Sequence, residues 1–149
     1  MRKYDGAEQK LRDLLVKRKP ANVVQQVVDF LYNEFEYYNW VGIYVVAGNN
    51  LVLGPWRGKE ATEHTQIPIG TGVCGSAAQS GKTEVVDDVS KDSRYLACFL
   101  STRSEIVVPI KRNNIVIGEI DVDSDRPGAF TRDDTHFLEK IAYLLSSYL

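Results

Sequence analysis

The pattern that most restricts the fold is a pair of β-hairpins, one in the middle of the chain and one near its end. Residues 106–110 and 115–123 are rich in β-branched apolar residues, and they flank the polar turn residues 111–114. Residues 40–46 and 51–55 flank a Gly-Asn-Asn turn in the same way. Because hairpin strands run antiparallel, the sequence predicts a mainly antiparallel sheet.

Helical patterns occur at both ends of the chain. Residues 5–17 predict a first helix, a second begins at Pro20 and ends before Asn39, and a third spans residues 132–148. Thr131 is the expected N-cap of the last helix, with Asp134 three positions on. A glycine-punctuated loop at residues 70–78 runs into a short helix, and residues 67–69 and 84–89 are expected to be extended. This order predicts an α+β fold whose terminal helices cover one face of the sheet, leaving a pocket on the other.

Composition indicates the class of protein. The 149 residues, 44% of them hydrophobic, suit one domain, which we divide into N-terminal helices (1–38), sheet and pocket loops (39–130) and a C-terminal helix (131–149). A net charge of −2 gives no electrostatic reason to expect nucleic acid or a membrane as partner. No signal peptide or apolar run of about 20 residues is visible, so we expect a cytoplasmic protein.

Aromatic, acidic and thiol side chains are expected to meet on the pocket face of the sheet. Period-two alternation places the two aromatic residues on one strand face, and the second hairpin makes the acidic strands neighbours. Taken singly, strand aromatics are more often core residues, strand acids are usually solvated, and an isolated cysteine is usually a small buried hydrophobe. The candidates are Trp40, Tyr44, Glu105, Asp121, Asp123, Cys74 and Cys98.

Local spacing argues against metal and nucleotide sites. Cys74 and Cys98 are 24 positions apart and form no C-x-x-C or H-x-x-x-H pattern with His64 and His136, so we expect no metal ligand. The glycine-rich loop at residues 70–76 lacks the Gly-Lys-Ser/Thr ending of a phosphate-binding loop. We therefore expect no cofactor.

Taken together, these segments resemble the GAF-domain free methionine-R-sulfoxide reductases in order and spacing. The resemblance extends from about residue 39 to the C-terminus, and the two N-terminal helices fit the family layout. It implies a single GAF domain with a six-stranded antiparallel sheet and helices packed on one face. The matching segments are NWVGIY (39–44), LVLGP (51–55), IPIGTGVCG (67–75), RSEIVVP (103–109), IG (117–118) and DVDS (121–124).

The resemblance also implies a redox reaction. Cys98 would be the nucleophile that attacks the sulfoxide sulfur, so that methionine leaves and a cysteine sulfenic acid remains. The carboxylates of Glu105, Asp121 and Asp123 would recognise the free amino acid and its polarised S–O group. Crowding would raise the pKa of one acid and allow it to protonate the leaving oxygen.

The remaining roles follow from the same resemblance. Trp40 and Tyr44 would form the wall that receives the methyl group and side chain of the substrate. A closed pocket would exclude methionine sulfoxide within a protein chain. Pairing of terminal helices, which is frequent in GAF domains, would give a homodimer.

Two positions depart from the family pattern. Many members carry a resolving cysteine ten residues before the Gly-Val-Cys-Gly cysteine, and here that position is His64. Either Cys74 resolves the sulfenic acid on Cys98, or thioredoxin or a small thiol attacks it directly, or turnover is lower. Glu119 stands where we expect an apolar residue.

Two non-catalytic alternatives remain open at this point. One is a GAF module that senses or binds a small molecule without chemistry, which loss of the usual resolving cysteine favours. The other is a structural or partner-binding domain whose pocket is filled by apolar side chains.

Overall fold

The computed structural model describes residues 3–17, 20–96 and 99–149. Cys98, the expected nucleophile, therefore lies outside the described residues. None of the helices within the described ranges has both the length and the apolar character needed to cross a membrane. In chain order the elements are α1 (Lys3–Lys17), α2 (Pro20–Glu34), β1 (Trp40–Ala47), β2 (Asn50–Gly58), β3 (Gln66–Pro68), α3 (Gly72–Ser80), β4 (Glu84–Val86), a 3-10 turn (Val89–Lys91), β5 (Ser104–Arg112), β6 (Ile115–Ser124) and α4 (Arg132–Leu145).

The strands form one six-stranded antiparallel sheet in the order β3-β2-β1-β6-β5-β4. Both predicted hairpins are present as β1–β2 and β5–β6. The two hairpins join through the β1–β6 pair, which places the first long strand beside the last one. The α+β class and the six-stranded sheet are therefore confirmed.

The two faces of the sheet bury different cores. On one face, α2 packs against β1 and β2, α4 packs against β5, and α1 contacts α2 and α4. This core includes Val41 and Ile43 of β1 with Ile120 and Val122 of β6. The other face carries a second core around Trp40, which includes residues of α3. The prediction that the terminal helices cover one face, leaving the other for the pocket loops, is confirmed.

Asp134 fixes the start of α4 and connects it to the N-terminal part of the fold. Its Oδ1 accepts hydrogen bonds from the hydroxyls of Tyr4, Tyr37 and Tyr38 at 2.7, 2.6 and 2.8 Å. Its Oδ2 accepts from the backbone N–H and the hydroxyl of Thr131. The predicted cap is present, and the same carboxylate also anchors α1 and the loop before β1.

Strand β6 is irregular near its start, which corrects one expectation. Strict period-two alternation along residues 115–123 predicts that Ile115 and Ile117 share a face with the acids of β6. In the structure, Ile110 pairs with Gly118 and Lys111 with Val116, so the register skips Ile117. Ile117 consequently packs on the helix side of the sheet, and Val116 packs on the pocket side. The acids further along the strand keep the predicted face.

Candidate active site

The predicted acids are buried together on the pocket face. Glu105 of β5 pairs with Asp123 of β6, and Asp123 pairs on its other side with Trp40 of β1. Only 5% of Glu105, 5% of Asp121 and 3% of Asp123 is exposed. A solvated acidic strand face is therefore excluded. Burial follows from the alternation, because Ile120 and Val122 point into the helix-side core and their acidic neighbours must point the other way.

Cys74 reaches the acids from the first turn of α3. Its sulfur lies 3.4 Å from Oδ2 of Asp121. Close docking of α3 depends on Gly75, where a Cβ atom would lie 2.6 Å from the carbonyl oxygen of Pro68. Burial raises the pKa of the Cys74 thiol, and the charges of Asp121 and Glu119 raise it further. Cys74 is therefore a thiol rather than a thiolate at neutral pH in this closed site.

A fourth acid, Glu119, is also buried here. It is fully inaccessible to solvent, and neither of its carboxyl oxygens has a hydrogen-bond partner among the residues that the structure describes. Burial and the charge of Asp121 raise its pKa, while the nearby Cys74 thiol lowers it by a smaller amount. The sequence marked this position as unusual, but alternation alone could not show that the side chain has no partner.

The acids lack compensating charge. Burial, followed by the charges of the neighbouring acids, raises the pKa of Glu105 and Asp123, and burial also raises the pKa of Asp121. Asp121 and Asp123 both act to raise the pKa of Glu105, which favours a proton held on this carboxyl. Asp121 and Asp123 each keep one oxygen without a partner. Among the residues that the structure describes, no lysine, arginine or histidine forms an ion pair with any of these acids.

Trp40 forms an aromatic wall over two glycines. Its ring covers Gly42 and Gly58, where a Cβ atom would come within 2.3 and 2.4 Å of the indole. It stacks on Trp56 with 6.2 Å between ring centroids and contacts Phe99 at 6.1 Å. Trp56 and Phe99 were not predicted as site residues. Trp56 was missed because β2 continues to Gly58, beyond the expected end at residue 55.

The candidate residues line two cavities. A cleft of about 240 Å³ is lined by Trp40, Asp123 and Phe99 among others. A small cavity of about 20 Å³ lies among Cys74, Glu105 and Asp121, with Tyr44, His64 and Leu96 also in its wall. The hydroxyl of Tyr44 donates to the backbone carbonyl of His64 at 2.7 Å, which fixes this side of the cavity. The structure thus divides the predicted site residues between two cavities on the pocket face of the sheet.

The loop that carries Cys98 contributes to both spaces. Leu96 lines the small cavity, and Phe99, Leu100 and Ser101 line the cleft. Leu96 and Phe99, the described residues nearest to Cys98 in the chain, therefore lie at the candidate site, although residues 97 and 98 lie outside the described residues.

Comparisons with known proteins agree with this arrangement. The GAF domain model matches residues 20–149. The free methionine-R-sulfoxide reductase of Escherichia coli is 37% identical over 119 residues, which cover 80% of this chain and 71% of that protein. The structure of the type II free methionine-R-sulfoxide reductase from Thermoplasma acidophilum is 38% identical, with a TM-score of 0.84 over 87% of this chain and 91% of that chain. The Neisseria meningitidis enzyme in complex with its substrate is 32% identical, with a TM-score of 0.87 over 97% and 90%. This chain therefore belongs to the GAF-domain family of free methionine-R-sulfoxide reductases.

Proposed function

We propose that this chain is an oxidoreductase that reduces free methionine-R-sulfoxide to methionine, the reaction for which its relatives are named. The observation that carries the proposal is the group of buried acids without a basic partner. A free amino acid brings an ammonium group, which supplies the missing positive charge. A methionine sulfoxide residue within a protein chain has no such group, so the same acids select the free amino acid.

The chemical step that we propose reduces the substrate sulfur and oxidises the cysteine sulfur. The Cys98 sulfur attacks the sulfoxide sulfur and forms an S–S bond, and the protonated oxygen leaves as water. Water then attacks the Cys98 sulfur and breaks the S–S bond, which gives methionine and a sulfenic acid on Cys98. A buried carboxyl that holds a proton can donate it to the sulfoxide oxygen as the S–O bond weakens. Glu105 fits this role because burial and the charges of Asp121 and Asp123 raise its pKa, which favours the protonated carboxyl. The loop residues on either side of Cys98 line the site, which supports Cys98 as the nucleophile.

We propose that the cleft receives the substrate and that Trp40 forms its apolar wall, while Tyr44 lines the adjoining small cavity. A volume of about 240 Å³ lies below the roughly 300–1,000 Å³ typical of sites for drug-sized ligands, so it suits a small molecule. Asp123 lines this cleft and pairs across the strands with Glu105, which lines the small cavity. The ammonium group would therefore meet Asp123 first and then the other two acids.

A second thiol completes the cycle by attacking the sulfenic acid, which releases water and leaves a disulfide. Cys74, thioredoxin and a small thiol are the candidates. Cys74 is a weak nucleophile while it remains buried among carboxylates, so its use as the resolving thiol requires the site to rearrange after the first step. A homodimer formed through the terminal helices and a cytoplasmic location stay predictions.

An epimer-resolved reduction assay tests the proposal. The purified protein with dithiothreitol should consume free L-methionine-R-sulfoxide and leave the S epimer. Cys98→Ser should abolish turnover, whereas Cys74→Ser should retain turnover with dithiothreitol whether or not Cys74 is the resolving thiol. If Cys74→Ser loses turnover with thioredoxin as the reductant but keeps it with dithiothreitol, Cys74 is the resolving thiol. If wild type leaves both epimers intact yet binds the sulfoxide in calorimetry, the chain is a binding module instead.

A further inference from the structure

Three groups with metal-ligating atoms converge in the small cavity. The Cys74 sulfur and carboxylate oxygens of Glu105 and Asp121 all lie within 4.8 Å of one another. They come from α3, β5 and β6, so they are distant in the sequence and close only after folding. The spacing argument against a metal site tested only short-range motifs and could not detect this group.

The distance between the Cys74 sulfur and Asp121 suits a tetrahedral ion that binds both sulfur and oxygen. A zinc ion about 2.3 Å from sulfur and about 2.0 Å from oxygen would separate those two ligand atoms by about 3.5 Å at the tetrahedral angle. The observed distance from the Cys74 sulfur to Oδ2 of Asp121 is 3.4 Å. The cavity of about 20 Å³ has room for about one water-sized object, for which roughly 10–15 Å³ is needed. In this closed form it therefore fits an ion and not an amino acid.

Buried carboxyl oxygens without hydrogen-bond partners are independent evidence for a cation at this site. Glu119 is completely buried beside Cys74 and Asp121, and neither of its oxygens has a hydrogen-bond partner. Oδ1 of Asp121 is likewise buried without a partner. Buried carboxyl oxygens are normally satisfied by hydrogen bonds, by basic groups or by metal ions. Among the described residues no basic side chain fills that role for these two acids.

We propose that Cys74, Glu105 and Asp121 bind one zinc ion, and that the ion excludes methionine sulfoxide from the same acids. Coordination releases the Cys74 proton, because a thiolate is the metal-binding form. The thiolate selects zinc over magnesium and calcium, which prefer ligand sets made only of oxygen. The charge of Glu119 acts on Cys74 and adds to the negative potential at the site, and water completes the fourth position. The exclusion of substrate rests on the proposed function, whereas zinc binding does not.

Cobalt absorption tests the metal site directly. The chain has two cysteines, so Cys98→Ser leaves Cys74 as the only thiol. Cobalt(II) added to that variant should give the near-ultraviolet charge-transfer band of a cobalt–thiolate bond, at one ion per chain, and zinc should abolish the band. The band should be absent from Cys74→Ser/Cys98→Ser. Adding Asp121→Asn to Cys98→Ser should lower the affinity for cobalt at least tenfold. Asp88→Asn in the same Cys98→Ser background is a matched control, because Asp88 is a partly exposed acid of the 3-10 turn.

Calorimetry on Cys98→Ser tests the competition without any thiol reductant that would bind zinc. With zinc at ten times its own dissociation constant, the apparent dissociation constant for methionine sulfoxide should rise about elevenfold, and magnesium should have no effect. Absence of the cobalt band in a variant with native circular dichroism, or its persistence without Cys74, would overturn the proposed metal site. A band in a protein whose wild type has no reductase activity would contradict the proposed function alone.

Discussion

Replacing Glu119 with valine should stabilise the fold. Glu119 is a completely buried carboxyl with no hydrogen-bond partner for either oxygen, on a central strand of the sheet. A buried unsatisfied polar group costs about 1–3 kcal/mol, and a β-branched side chain of similar size suits a strand interior. The free energy of unfolding should therefore rise by about 1–3 kcal/mol in Glu119→Val. For a domain of this length, each kcal/mol corresponds to about 2–4 °C in the melting temperature.

Glu119→Gln distinguishes the stability cost of burying a charge from the cost of burying any polar group. Glutamine cannot ionise, but it leaves an amide without partners in the same position. We therefore expect the order of stability Glu119→Val, then Glu119→Gln, then wild type, measured by urea unfolding at pH 7 with a metal chelator present. A valine variant no more stable than wild type would refute this argument, since it would mean that Glu119 has a stabilising partner in solution. Turnover should persist in Glu119→Val, because the residue is not one of the three proposed substrate-binding acids.

Two further substitutions test how the site is held in place. Asp134→Asn removes the charged acceptor of three tyrosine hydroxyls and should destabilise the fold by at least about 2 kcal/mol at pH 7, measured by urea unfolding. Burial acts to raise the pKa of Asp134, but the hydrogen bonds outweigh it and lower the pKa below its usual 3.8. The stability difference between wild type and Asp134→Asn should therefore disappear as the pH falls through that lowered value. Gly75→Ala should force α3 away from Pro68 and lower the free energy of unfolding by about 1–3 kcal/mol. Gly6→Ala is the control: no atom lies within 4 Å of the new Cβ, so it should be neutral or slightly stabilising in the same experiment. Equal effects of the two alanine substitutions would contradict the proposed close contact.

The faces of the strands could be predicted from the sequence, but the contacts between them could not. Alternation along β6 and the β5–β6 hairpin were sufficient to place Glu105, Asp121 and Asp123 on one face. The bulge at Ile117 was invisible because an inserted residue leaves the apolar composition of the strand unchanged. The role of Cys98 stays a prediction.

Contacts that depend on docking of separate elements were the least predictable. The 3.4 Å approach of Cys74 to Asp121 requires α3 to pack over β6, and that depends on the absence of a side chain at Gly75. The stacking of Trp56 on Trp40 requires β2 to continue three residues beyond its apolar segment. Neither condition has a periodic signature, so only the folded chain reveals them.

The acids, the proposed substrate and the proposed zinc ion are linked by one electrostatic requirement. Four buried carboxyls that have no basic partner in the described part of the chain favour whatever brings positive charge, and in the free protein that is the proton. A ligand that carries its own cation and binds only the folded state stabilises it by about 2.7 kcal/mol at one hundred times its dissociation constant. Methionine sulfoxide should therefore raise the melting temperature of Cys98→Ser by about 5–10 °C at that concentration. N-acetylmethionine sulfoxide has the same sulfoxide and side chain but no ammonium group, so it should have no effect at equal concentration. A similar shift with both compounds would show that the acids do not recognise the ammonium group, and the argument that selects a free amino acid would fail.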